Sequence, residues 1–73
     1  MAKYLDAWVT RDVDRLDGEG YYLTMWEEPK YDARFGEWPS LEGGGTDIGE
    51  SLAIKLIGCT LPGGAKSIRR VRA

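Results

Sequence analysis

Histidine is absent from the 73-residue chain, and cysteine occurs only once, as Cys59. Without histidine, the usual Ser–His and Cys–His relays of nucleophilic catalysis cannot form. Structural zinc sites are built mainly from cysteine and histidine, so this composition does not supply one. A single cysteine also excludes a disulfide within the chain. These absences predict a protein that is not an enzyme and that carries neither a metal ion nor another cofactor.

The sequence also has no apolar run near the roughly 20 residues that a membrane-spanning helix needs. The N-terminal stretch already includes Lys3 and Asp6, which leaves no room for the apolar segment of a signal peptide. A lone cysteine is typical of proteins in a reducing compartment. We therefore expect a cytoplasmic protein that does not bind membranes.

Acidic side chains are missing from the last 23 residues, although the chain has twelve of them. Residues 1–50 hold all twelve together with five basic residues, a net charge of −7. Residues 51–73 hold five basic residues, a net charge of +5, and the two parts sum to −2. Such a dipolar chain can offer a basic surface to a partner, or both surfaces to another copy of itself.

The length predicts one small domain over residues 1–73, with a core that is marginal by itself. Without disulfides or a metal, large aromatic side chains or self-association must supply the missing stability. The chain has three Trp, four Tyr and one Phe, which can bury a large area each. We also expect a two-fold homodimer, in which the acidic 12–28 region of one copy meets the basic 66–72 strand of the other.

Two aromatic segments, 3–10 and 20–27, flank a polar stretch that ends in the turn signal Asp17-Gly18-Glu19-Gly20. This pattern predicts an antiparallel hairpin. Arg34–Trp38 predicts a short third strand before Pro39. Residues 40–49, with their triple glycine, read as a hinge-like loop. The β-branched residues of 66–72 predict a closing strand.

A helix is favoured near 48–57, where Asp47 and Glu50 form a partial capping box. Ile48, Leu52 and Leu56 then recur at helical spacing, and Gly58 suits the C-terminal end. The alternative is a strand at 52–57. The predicted fold is therefore α+β, a small antiparallel sheet of three to four strands with one short helix. The predicted core comprises Tyr4, Trp8, Leu23, Met25, Trp38, Ile48, Leu52, Leu56 and Ile68.

Residues 10–38, TRDVDRLDGEGYYLTMWEEPKYDARFGEW, resemble small uncharacterised phage and prophage proteins. The shared features are a polar turn, an aromatic strand, an acidic-Pro step and a Trp. The resemblance identifies no site residue and implies no specific activity. It favours a protein of a mobile element that works by binding another molecule.

Exposed aromatics beside basic residues are the remaining candidates for a site. Tyr22 and Trp26 fall on the strand face opposite Tyr21, and a single helix covers only one face of a sheet. Unless a second copy or the C-terminal segment covers it, this face is a binding patch. Together with the basic strand, the predicted binding residues are Tyr22, Trp26, Arg69, Arg70 and Arg72.

Three functions remain open for such a surface. The favoured one is a small non-enzymatic protein-binding module or inhibitor, with an unidentified protein as its partner. A nucleic-acid binder would use the same arginines on phosphates, with aromatic rings as platforms for bases. A structural subunit is the third, in which the arginines form a solvated edge that discourages aggregation.

Overall fold

The computed structural model describes residues 7–13, 19–25, 28–38 and 45–72. They form one helix and a four-stranded antiparallel sheet, which confirms the predicted α+β class. In chain order the elements are β1 (Ala7–Arg11), β2 (Tyr21–Met25), β3 (Gly45–Ile48), α1 (Glu50–Ile57) and β4 (Ile68–Arg70). The strand order across the sheet is β3-β2-β1-β4, so β3 and β4 are its two edges.

The predicted hairpin is present as β1 and β2, with Val9 opposite Leu23 and Thr10 opposite Tyr22. Gly20, immediately before β2, has a φ of 84°. A side chain there would place its Cβ only 2.8 Å from the Asp12 carbonyl oxygen. The Asp12 N–H donates to the Gly20 carbonyl at 2.8 Å, so the two strands meet too closely for any other residue.

The prediction of a loop over 40–49 is wrong for its last part, because residues 45–48 form β3 on the outer side of β2. Thr46 and Ile48 lie opposite Leu23 and Tyr21. These two β-branched residues alternate with Asp47, a pattern that suits an edge strand. The neighbouring glycines concealed this signal in the sequence.

The predicted strand Arg34–Trp38 is also wrong, since residues 33–36 form a tight turn. Asp32 and Glu37 form an isolated antiparallel bridge. Gly36, with φ of 66°, lets its N–H reach the Asp32 carbonyl at 2.9 Å. Left-handed backbone at this glycine reverses the chain before a strand can extend.

The helix alternative is confirmed over 50–57, but the predicted cap is wrong. Gly49 is the N-cap residue and makes no side-chain cap, because Asp47 lies in β3 opposite Tyr22. The C-terminus ends as predicted at Gly58, whose φ is 81° and whose N–H donates to Ile54. Within the described ranges, no helix is long and apolar enough to span a membrane.

The main core lies between the sheet and α1. Alternation places Val9 and Tyr21 on the side of the sheet that faces the helix, where they pack with Leu61 and one stripe of α1. The buried cluster is Val9, Tyr21, Ala53, Ile57 and Leu61. Leu23, Ile48, Leu56, Cys59 and Val71 are partly buried around it.

Several predicted core residues occupy other positions. Leu52 is 45% exposed, because α1 presents Ala53 and Ile57 to the sheet instead. Met25 is 42% exposed at the end of β2. Trp8 and Ile68 are half-buried, whereas Trp38 is buried as predicted. Tyr4 lies outside the described residues.

The opposite face of the sheet is covered as well, contrary to the expectation that one helix leaves it open. Thr10, Tyr22 and Thr24 all point to that face and are all buried within the single chain. A second copy is therefore not needed to bury this row. The exposed residues of this face include one on each edge strand, Asp47 in β3 and Arg70 in β4.

Candidate binding surface at the basic edge

Strand β4 is a sheet edge whose outer side has no neighbouring strand in the described structure. The Arg11 N–H donates to the Ser67 carbonyl at 3.1 Å, and the Val71 N–H donates to the Ala7 carbonyl at 2.9 Å. Hydrogen-bonded and non-hydrogen-bonded pairs alternate along an antiparallel ladder. Ile68 therefore directs its N–H and carbonyl away from β1. We call β4 and the basic residues on and beside it, Lys66, Arg69, Arg70 and Arg72, the basic edge.

Arg69 lies opposite Val9 and so points to the helix side of the sheet. Its guanidinium turns back along its own strand. Nη1 donates to the Ile68 carbonyl at 2.8 Å and, less favourably, to the Lys66 carbonyl at 3.4 Å. The exposed side chain thus occupies main-chain acceptors on the outer side of the strand.

Arg70 points to the other face of the sheet, directly opposite Trp8 in the pairing of β1 and β4. The guanidinium carbon lies 5.4 Å from the centroid of the indole ring. This distance is that of a cation–π contact, which is strongest with Trp. Arg70 is exposed and Trp8 is half-buried, so the pair combines a forked donor with part of an aromatic face.

Arg72 follows β4 and lies at the C-terminal end of α1. Its backbone N–H donates to the Leu56 carbonyl at 3.0 Å. Its guanidinium lies so close to Gly58 that a Cβ on this glycine would collide with Nη1. A positive charge beside the last carbonyls of a helix is stabilising. Arg72 therefore has a clear structural role.

The structure thus separates the predicted binding residues. Tyr22 shares a face with Arg70 but is only 5% exposed, so its ring offers little surface. Trp26 lies outside the described residues. Arg69 and Arg70 lie on opposite faces of β4, and their role in binding stays a prediction. Trp8, which the sequence analysis assigned to the core, is the aromatic that contacts Arg70. Only the strand register reveals this pairing.

A polar network at the other end of the hairpin ties the sheet to the helix and to the 58–67 segment. The Tyr21 hydroxyl accepts from the Leu61 N–H at 3.1 Å and donates to Glu50 Oε2 at 3.3 Å. Arg11 lies 4.6 Å from the Tyr21 ring centroid and donates to the Leu61 carbonyl at 2.7 Å. Both backbone polar groups of the buried Leu61 are therefore satisfied.

Glu19 completes this network by accepting a hydrogen bond from the Glu50 N–H through Oε1. It caps the helix from a distant part of the chain, where a local capping residue was expected. Glu19 and Glu50 are thus engaged in structural contacts. Nowhere in the described ranges do three or more acidic or cysteine side chains gather as metal ligands.

Phe35 lies at the turn between Asp32 and Glu37 and is 70% exposed. Arg34 lies with its guanidinium carbon 5.4 Å from the Phe35 ring centroid. The backbone N–H of Arg34 donates to Asp32 Oδ1 at 3.0 Å, which stabilises the turn. This pair has the same cation–π distance as Arg70 and Trp8 on a different element, and it provides a matched control.

Comparisons with known proteins do not add to this description: no family model, curated protein or solved structure gave a significant match.

Proposed function

We propose that this protein is a small cytoplasmic binding module that docks a partner protein through the basic edge. The observation that carries the proposal is the contact between Arg70 and Trp8 on the outer part of the sheet. Arginine and tryptophan are the residues most enriched at the energetic centres of protein interfaces. The guanidinium gives forked hydrogen bonds, and the indole ring gives apolar area at low entropic cost.

The directions of the arginines favour a protein partner over nucleic acid. Arg69 and Arg70 lie on opposite faces of β4, and Arg72 is held beside Gly58. A single-strand binder instead needs a positive groove that follows the phosphate backbone beside its stacking rings. Guanidinium groups that diverge in this way suit separate carboxylates on a protein. The nucleic-acid binder remains the competing function for the test below.

A second copy of the chain is a less suitable partner for this edge than a different protein. Pairing β4 with β4 across a two-fold axis would bring Arg69 and Arg70 of both copies together, and like charges repel. The acidic residues Glu19, Asp47 and Glu50 lie toward β3, at the other side of the four-stranded sheet. An edge-to-edge contact between the acidic and basic sides would be heterologous and would not close as a dimer.

The remaining parts of the proposal rest on the sequence. The absence of histidine supports a non-enzymatic role, as an inhibitor or accessory protein. The resemblance to phage and prophage proteins supports an origin in a mobile element. A homodimer formed through another surface is compatible with this role. Sedimentation at micromolar concentration, in low and high salt, measures the oligomeric state directly.

The experiment is an affinity capture from cell lysate, with and without nuclease, using wild type, Arg70→Ala and Arg34→Ala. Both variants lose one exposed arginine and one cation–π contact of equal length. Proteins found by mass spectrometry are then purified and titrated directly. We expect one purified partner to bind wild type and Arg34→Ala equally, and Arg70→Ala at least tenfold more weakly.

Two results would contradict the proposal. Capture that disappears with nuclease, together with log K falling by about 0.9 per phosphate contact against log salt, identifies a nucleic-acid binder. If purified partners bind wild type and Arg70→Ala equally, the basic edge is not the contact surface. A structural subunit would give this result.

A further inference from the structure

We infer that the partner contributes an extended segment with two consecutive acidic residues, which adds to the sheet as a fifth strand beside β4. The inference rests on the proposed function and specifies how the basic edge would bind. Strand addition supplies affinity through main-chain hydrogen bonds and specificity through alternating side chains. The basic edge offers both.

The main-chain part of this site is Ile68. Because Ser67 and Val71 make the ladder bonds to β1, Ile68 directs its N–H and carbonyl outward. The carbonyl accepts from Arg69 Nη1. An added strand would form a new hydrogen bond to the Ile68 N–H and would displace Arg69 from the carbonyl.

The side chains specify the charge pattern of the incoming segment. Arg69 and Arg70 are consecutive and therefore flank the strand on opposite faces. Two consecutive acidic residues on an extended partner likewise point to opposite faces. Each carboxylate can then meet one guanidinium. An uncharged strand would displace Arg69 from the Ile68 carbonyl without forming an ion pair in return. The arginines therefore protect this edge from pairing with strands of unrelated proteins.

The chain's own acidic edge does not fit this pattern. In β3, Asp47 is flanked by Thr46 and Ile48, so it presents one carboxylate and not two in succession. Strand β3 of a second copy would therefore satisfy only one of the two arginines. The consecutive acidic pair Glu27-Glu28 is followed by Pro29, which has no N–H to donate to a strand ladder. For this reason we assign the site to an acidic segment of a different protein.

The probe is a short capped peptide, Thr-Val-Thr-Glu-Glu-Val-Thr-Val, titrated into the full chain and followed by amide hydrogen exchange. We expect exchange of the Ile68 N–H to slow at least tenfold at saturation. The Val71 N–H is the internal control, because it is already bonded to the Ala7 carbonyl and should change little. The same peptide with alternate backbone amides methylated keeps its charge and should bind at least tenfold more weakly.

Charge reversal tests the contact between Arg69 and an acidic residue of the peptide. Its readout is a gain of binding by a peptide of opposite charge as well as a loss of binding. Arg69→Glu should weaken the Glu-Glu peptide at least tenfold and should bind the corresponding Lys-Lys peptide better than wild type does. A circular dichroism spectrum matching wild type verifies the fold of the variant. Recovery of binding by the opposite charge supports a direct contact at Arg69.

Four outcomes would overturn the inference. The first two are that the Glu-Glu peptide does not bind, or that it binds without slowing the exchange of the Ile68 N–H. The third is that the methylated peptide binds as tightly as the unmethylated one. The fourth is that the protein self-associates and Arg69→Glu abolishes this, which would make a second copy the occupant. If Arg70→Ala still weakens the binding of a purified partner in these cases, the proposed function stands and only strand addition beside β4 fails. If the peptide protects Ile68 but lysates yield nucleic acid alone, the proposed function fails instead.

Discussion

Two regions of the sheet use polar side chains in opposite ways. Where β2 begins, the buried Tyr21 and the carboxylates of Glu19 and Glu50 join the sheet to the helix and to Leu61. At β4, Arg69 and Arg70 are exposed: Arg69 donates to the Ile68 carbonyl, and Arg70 lies over the Trp8 ring of the neighbouring strand. Polar groups of the first region join separate elements of the fold, whereas the arginines of β4 present their charge to solvent.

This difference has energetic consequences that can be measured. Removing one partner from a buried hydrogen bond leaves a desolvated polar group, which costs about 1–3 kcal/mol. Exposed contacts between charged groups contribute about 0–1 kcal/mol, because water competes with them. Substitutions in the network around Tyr21 should therefore change stability, and substitutions at β4 should change binding.

The largest effect is expected for Leu61→Ala, because Leu61 is buried in the main core. Truncating a buried leucine costs about 2–5 kcal/mol through lost burial and the cavity left behind. Leu52→Ala is the matched control, since Leu52 is largely exposed, and it should cost less than about 1 kcal/mol. Urea denaturation of both variants gives the comparison, and equal losses would show that Leu61 is not part of the core.

The next effect is expected for Tyr21→Phe, which keeps the ring and removes the hydroxyl. The Leu61 N–H then loses its acceptor in a buried site, so unfolding should become easier by about 1–3 kcal/mol. Tyr31→Phe is the control, because the Tyr31 hydroxyl has no hydrogen bond to another described residue. Thermal and urea unfolding measure both. A Tyr21→Phe protein as stable as wild type would show that this hydrogen bond does not stabilise the fold.

A smaller effect is expected for Glu19→Gln, which keeps an acceptor near the Glu50 N–H and removes the charge. A negative charge at a helix N-terminus contributes about 0.3–1 kcal/mol, and salt screens it. The loss of stability should therefore shrink as ionic strength rises. Glu37→Gln, an exposed change outside the helix, should show neither the loss nor its dependence on salt.

An effect on stability as small as that of Glu19→Gln is expected for Arg70→Ala. Its cation–π contact with Trp8 is at an exposed site and contributes about 0.5–1 kcal/mol. Arg34→Ala removes an equivalent contact with Phe35 together with an exposed ion pair from Nε to Asp32 at 3.4 Å, and should cost a similar amount because exposed ion pairs contribute little. A loss above about 2 kcal/mol in Arg70→Ala alone would mean that the basic edge stabilises the fold, as the network around Tyr21 does.

Local sequence patterns were sufficient to predict the hairpin, the closing strand and the C-terminal end of the helix. Aromatic and β-branched runs encode the strands, and Gly58 encodes the end of α1 through its left-handed backbone. The start of the helix was mispredicted because its cap is Glu19, far away in the sequence. Asp47 could not show locally that it belongs to a strand.

The candidate site was predictable only in part. The basic strand is visible in the sequence as a cluster of Lys and Arg without acidic residues. The contact between Arg70 and Trp8 depends on the register of two strands about sixty residues apart in the chain. The burial of Tyr22 depends on what covers its face of the sheet, and alternation along one strand does not encode that.

The most direct test of the separation between fold and binding is to measure affinity and unfolding free energy together in Arg70→Ala and Tyr21→Phe. The readouts are titration with the purified partner, at a temperature where both variants are folded, and urea denaturation. We predict that Arg70→Ala loses at least tenfold in affinity with little change in stability, and that Tyr21→Phe loses about 1–3 kcal/mol in stability with unchanged affinity. The opposite pattern, with stability lost in Arg70→Ala and affinity retained, would contradict the account.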